Sequence, residues 1–260
     1  MAALSQEAQL EQLKTMFEAH NAKFQTTASP QMLYQHFAED LKLFPNLNIT
    51  RCVFLGLGRP TRALITPKVG KVDTEKQKQF KAAPLTQLVF LTNLLALLKT
   101  KHNINEAFVE VFVDNTIYAA TEDSFFRSLS LIPVHSGNEG FSSIQAKITT
   151  RTLLFAPLVP ATKIHKALAT SGFAVFIGND VDEIVHTMRE KDEVHDPSTG
   201  KLTAIFDLYY RIKSAGFKRK LPDFEDWDWC HKTSIHWIAG ARDGDSGMAV
   251  NTTKKAVDEL

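Results

Sequence analysis

The chain is poor in the residues that announce common chemistries. Two cysteines, Cys52 and Cys230, in 260 residues exclude a disulfide framework and point to a reducing, cytoplasmic setting. Cys52 falls inside an apolar run, where burial is the expected state of a thiol. Excess charge is also missing. Thirty basic side chains face 29 acidic ones, a formal charge of +1, so no global field draws in nucleic acid and any RNA contact must be local. The first twenty residues carry acids and no continuous apolar stretch, which argues against a secretory leader. The longest apolar stretch, Leu85 to Leu98, is too short and too polar to span a bilayer, so no membrane partner is expected. No Walker-type lysine loop occurs, and no Cys/His set has zinc spacing; neither a metal nor a cofactor is expected. Nothing reads as a linker.

What is present is a repeated design of apolar run followed by a small or polar tip. Arg51 to Pro60 reads RCVFLGLGRP, Phe108 to Asn115 reads FVEVFVDN, and Phe173 to Asp180 reads FAVFIGND. Strands of this kind are buried on both faces in a parallel sheet, and their carboxyl ends are where open α/β folds take ligands. Further strands are expected at Leu131 to Val134, Thr152 to Ala156 and His231 to Ile238. Helices are expected at about Glu122 to Leu129, Ala161 to Ser171, Asp180 to Arg189 and Leu202 to Lys213. This alternation predicts a doubly wound, mostly parallel sheet. Leu10, Leu13 and Phe17, then Met32, Leu33, Phe37 and Leu41 after Ser29-Pro30, form two amphipathic stripes, hence two helices before the sheet. A third helix is expected to open at Pro84 and run through an almost wholly apolar stretch to Lys99 and Lys101. The division expected is a helical extension over 1–45, an α/β domain over 46–240 and a flexible tail over 241–260.

Candidate site residues gather at the strand tips. Gly56 and Gly58 permit close approach of backbone to a ligand, but GLGRP lacks the third glycine of a dinucleotide fingerprint, so nicotinamide or flavin binding is disfavoured. Asp114, Asn115, Asn179 and Asp180 end two strands expected to be neighbours and so to share a pocket; helix capping by Asn179 or Asp180 is the competing reading. His236, in the final strand, is either a general base or a buried, hydrogen-bonded imidazole, and His135-Ser136 form a second base and hydroxyl pair. Two basic clusters remain. Arg59, Arg62, Lys68 and Lys71 lie in a long turn-rich connection reaching Lys81, and Lys218, Arg219 and Lys220 lie nearer the end. Either they follow a phosphate backbone or they are solvated surface charge.

Several pieces resemble, in order and spacing, the sensitivity-to-red-light-reduced-like domain family. They are Gly56-Leu57-Gly58, Ala83-Pro84-Leu85-Thr86-Gln87-Leu88, Val113-Asp114, Thr152-Leu153-Leu154-Phe155-Ala156-Pro157, Ile177-Gly178-Asn179 and Thr233-Ser234-Ile235-His236-Trp237. The resemblance runs from about residue 50 to 238. It departs from the family at His231-Lys232, where an Asn-Asp pair is common, and at Asp180, where a small hydroxyl residue is usual. The resemblance implies a Rossmann-like fold and, for the family at large, a regulatory role that includes light and clock signalling and haem metabolism. One fungal enzyme group suggests more: arginine-containing cyclodipeptide synthases, which condense arginine with a second amino acid from aminoacyl-tRNA. On that expectation Gly56, Gly58, Asp114, Asn115, Asn179, Asp180, Glu225 and Asp228 bind the amino-acid substrate. His236, His135 and Ser136 then carry the chemistry, and Arg59, Arg62, Lys68, Lys71, Lys218, Arg219 and Lys220 hold tRNA. The alternative is a non-catalytic regulatory module that binds a small ligand such as haem, or a partner protein. A weaker option is a methyltransferase-like enzyme binding adenosine after Gly56.

Overall fold

The computed structural model describes residues 4–44, 49–65, 72–101, 110–115, 119–135, 142–160, 164, 167, 172–190, 203–222, 224 and 227–238. Its helices are α1 (Gln6–Thr26), α2 (Ser29–Leu43), α3 (Glu75–Lys101), α4 (Ala120–Ser128), α5 (Ser142–Gln145), α6 (Val181–Glu190) and α7 (Thr203–Ala215). Its strands are β1 (Arg51–Phe54), β2 (Glu110–Asn115), β3 (Ile132–His135), β4 (Thr152–Ala156), β5 (Val175–Asn179), β6 (Phe217–Lys220) and β7 (Thr233–Trp237). Short 3₁₀ helices occupy Pro60–Leu64 and Asp228–Cys230.

The strands form one seven-stranded sheet in the order β3-β2-β1-β4-β5-β7-β6. The first five run parallel. β7 is antiparallel to both β5 and β6, so β6 runs in the same direction as β5. The protein is therefore a mixed α/β chain with a mostly parallel sheet. Side-chain alternation divides each strand between two cores. Cys52, Phe54, Leu153, Phe155, Val175 and Ile177 join the buried residues of α1 to α4 on one face. Val53, Leu55, Leu154 and Phe176 join those of α5, α6 and α7 on the other. Because both faces are covered, these strands carry almost no polar side chains.

Three expectations need correction. α3 begins at Glu75, nine residues before the expected start at Pro84. Proline inside the helix has no N–H to give the Phe80 carbonyl. Phe217–Lys220 is an edge strand, although its cations had the look of surface charge. Lastly, β2 and β5 are not neighbours, since β1 and β4 lie between them. At roughly 4.8 Å per strand, the tips of β2 and β5 are about 14 Å apart.

By length and composition α3 could cross a membrane, unlike the shorter stretch marked in the sequence. It is instead a core helix, with 67% of its most apolar window buried. Burial also moves the Cys52 thiol to a higher pKa, which leaves it unreactive.

α1 and α2 close on the same core as the sheet, through Leu13, Phe24, Leu33, Phe37 and Leu41. A buried charge fixes them there. Asp40 of α2 is fully buried and accepts two hydrogen bonds on Oδ1 from Arg219, at 2.9 Å from Nε and 2.6 Å from Nη2. Its Oδ2 accepts from Arg219 Nε and from Trp237 Nε1, both at 3.1 Å. Removing Asp40 leaves Arg219 only the more exposed Glu39, 3.6 Å away, and takes the acceptor from the Trp237 indole N–H. Asp40→Ala is expected to destabilise the protein by about 3 kcal/mol, with Arg219→Met in the Asp40→Ala background recovering part of the loss. Urea denaturation of the two variants checks this.

Candidate functional site

The strand order reverses between β1 and β4, which is where the carboxyl edge of an open parallel sheet presents a crevice. The loops after those strands meet there. Gly56 and Gly58 both adopt left-handed backbone, with φ of 70° and 75°, a conformation that favours glycine. At Gly56 a Cβ would also lie 2.4 Å from Val159 Cγ2, so the glycine admits the β4 loop. Leu158 has φ of 60° and a side chain 51% exposed, a strained placement for a branched apolar residue. Asn179, at the tip of β5, holds it. The Oδ1 atom accepts from Leu158 N at 3.2 Å, and Nδ2 donates to the Val159 carbonyl at 3.0 Å.

Asp180 begins the next helix. Its Oδ1 accepts from Asp182 N at 3.0 Å, the geometry of an N-cap on α6. The same carboxylate accepts from Lys218 Nζ at 2.9 and 3.0 Å and from Ser234 Oγ at 3.1 Å. Burial alone would raise its pKa, but the Lys218 hydrogen bond and charge, together with the Asp182 N–H, carry it below the usual aspartate value. Burial pulls Lys218 down; the hydrogen bonds it donates to Asp182 and Asp180 outweigh it and hold the ammonium above the usual lysine range.

His236 is fully buried beneath this cap. Its Nδ1 lies 3.3 Å from the Phe176 carbonyl, and Nε2 accepts from Val181 N at 3.4 Å. That pairing requires a proton on Nδ1 and none on Nε2, so the ring is neutral. Burial is the main cause that lowers its pKa, to about 4. The ring also stacks on Phe176, centroids 5.2 Å apart. Of the two roles foreseen for His236, the geometry is that of the hydrogen-bonded imidazole joining β5, β7 and α6.

Sequence reasoning missed Glu122, a fully buried acid in the first turn of α4. It accepts from Ala119 N at 2.8 Å, Arg59 Nε at 3.3 Å and Thr61 N at 3.3 Å, and from the Thr61 hydroxyl. It thereby ties the connection after β1 to the start of α4. The only signal was its position three residues before Phe125-Phe126, on the inward side of a short helix.

The expected site residues therefore separate. Asp114, half-buried at the end of β2, is on the far side of β1 from Asn179 and Asp180, so these side chains do not share one pocket. Asn115 and His135 face each other across the β2–β3 register and are described in backbone alone. Asp228 sits on an exposed turn, 4.0 Å from His231. Ser136, Lys68, Lys71 and Glu225 lie outside the described residues. Among the cations expected to hold RNA, Arg59 pairs with Glu122, Lys218 with Asp180 and Asp182, and Arg219 with Asp40 and Glu39. Arg62 lies over the Phe80 ring, and Lys220 is exposed.

The pH dependence of stability tests the His236 assignment. Its folded pKa of about 4 lies below the ordinary histidine value of 6.5. Between these values the unfolded chain takes up a proton that the folded chain refuses, so stability falls as pH drops from 6.5 to 4, by roughly 3 kcal/mol. The stability that Asp180 contributes is lost only at lower pH, below its unfolded value of 3.8. Urea titrations at a series of pH values are expected to show the upper step in the wild type and not in His236→Gln.

Comparison with curated proteins and with solved structures gives no match. The model of the SRR1 domain family matches residues 13–237, a span that takes in the greater part of α1, the whole sheet and every residue of the crevice just described. On that match, the chain belongs to the SRR1 domain family.

Proposed function

We propose that this chain is a non-catalytic binding module of the SRR1 domain family, built on a Rossmann-like frame, that holds a small ligand or a partner protein. The frame is supported by the reversal of strand order at β1 and β4 and by helices on both faces of the sheet. One observation carries the functional reading. The acid, base and amide side chains described around β5 and β7 are committed to the protein's own scaffold: Asn179 to the β4 loop, Asp180 to Lys218 and Ser234, His236 to two backbone groups. The crevice at the β1/β4 reversal instead offers the backbone of Gly56, which is exposed, and the side chain of Leu158. Such a surface suits recognition rather than proton transfer.

The competing reading is an aminoacyl-tRNA-dependent cyclodipeptide synthase acting on arginine. It needs Asp180 available to a guanidinium and His236 within reach of a proton in flight. Asp180→Ala and His236→Ala separate the two. On the binding reading both variants lose stability, Asp180→Ala by about 2 kcal/mol because Ser234 loses its acceptor, Asp182 N loses its cap and Lys218 keeps only Asp182. On the synthase reading they lose product while the melting temperature holds. The direct assay incubates the full chain with tRNA, aminoacyl-tRNA synthetases, arginine and the other amino acids, and reads products by mass. No cyclic dipeptide is expected; one that contains arginine would overturn the proposal. A co-purifying ligand is expected in native mass spectrometry, with a Soret band if it is haem.

A further inference from the structure

We infer that the cleft between Pro60–Leu64 and the first turns of α3 is a binding site for a small aromatic anion. It is lined by Arg62, Ile65, Thr74, Lys76, Gln77 and Phe80 together with the Lys81–Asp73 pair, and offers about 470 Å³ of space open to solvent on one side. Sites for small organic ligands commonly span about 300–1,000 Å³. Phe80 is 64% exposed and Ile65 58% exposed, so two large apolar side chains that face this space remain in water. Filling the cleft with a flat apolar body removes that surface from solvent.

Charge selects the anion. Lys81 is neutralised by Asp73, Lys78 by Glu75 and Arg59 by Glu122. Arg62 and Lys76 have no carboxylate partner among the described residues, so the walls carry unbalanced positive charge. The Arg62 guanidinium lies 5.7 Å from the Phe80 ring centroid. A planar ligand that stacks on this ring brings a carboxylate, sulfonate or phosphate to the guanidinium fork. The α3 end of the cleft is firmly built: Thr74 Oγ1 accepts from Gln77 N at 3.3 Å, and Gln77 Oε1 accepts from Thr74 N at 2.9 Å. This reciprocal cap presents the positive end of a 27-residue helix to the same space.

The cleft shares no lining residue with the crevice at Gly56 and Leu158, and its occupancy does not depend on whether the chain turns over a substrate. The test titrates the full chain with 8-anilinonaphthalene-1-sulfonate and follows fluorescence. Saturation at one probe per chain is expected. Phe80→Ser and Arg62→Glu are each expected to weaken binding tenfold or more. Both positions are exposed, so circular dichroism melting is expected to stay at the wild-type value. Lys220→Glu, an equal change of charge at the sheet edge, is expected to leave the titration unchanged, and the uncharged N-phenyl-1-naphthylamine to bind more weakly than the sulfonate. Absence of a saturable site overturns the inference. So does wild-type affinity in Phe80→Ser and Arg62→Glu, or equal affinity for the uncharged probe.

Discussion

A carboxylate taken out of water must be given donors, and three buried acids organise this molecule by that demand. Asp40 draws β6 and β7 to the N-terminal helices, Glu122 draws the connection after β1 to α4, and Asp180 draws Lys218 and Ser234 to the start of α6. Each joins segments far apart in the chain that apolar packing alone would leave free to slide. A buried ion pair is weak support for net stability, but breaking one is costly. Its contribution here is to fix register and orientation at the carboxyl edge of the sheet.

That use of charge bears on function. A site built for acid–base chemistry keeps titratable groups poised and accessible, with pKa values near the working pH. Here burial makes His236 a neutral acceptor for the Val181 N–H, and Lys218 holds Asp180 ionised. The most perturbed groups of the carboxyl edge thus serve the start of α6. The surfaces left open are of another kind: a strained Leu158 and the Gly56 backbone at the strand-order reversal, and a cation-rimmed aromatic cleft beside α3.

The core of the sheet was legible because its pattern is local. Runs such as Cys52 to Leu55 and Thr152 to Ala156 place apolar atoms on both faces, and only a covered parallel strand uses them. Capping by Asp180 was legible for the same reason, since an N-cap lies within two residues of its donor. β6 was hidden because Lys218, Arg219 and Lys220 have side chains that read as solvated. They acquire strand neighbours, and Lys218 and Arg219 their carboxylate partners, only in three dimensions. Asp40 was hidden too. It follows Phe37 by three residues on the buried side of α2, yet its partners lie 179 and 197 residues away, and no periodicity reports such a distance. The expected neighbourhood of Asp114 and Asn179 failed on strand order, which the spacing of strands and helices does not determine.

The attachment of Asp40 to Arg219 and Trp237 has a consequence for synthesis. α1 and α2 emerge from the ribosome before the sheet, but the groups that lock them come from β6 and β7. Until residue 219 is translated Asp40 has no cation, and until residue 237 is translated Phe37 lacks Trp237 as a ring neighbour. α1 and α2 therefore settle only once β6 and β7 exist, and the nascent protein passes through a long interval with a greasy helical surface open to chaperones or to aggregation.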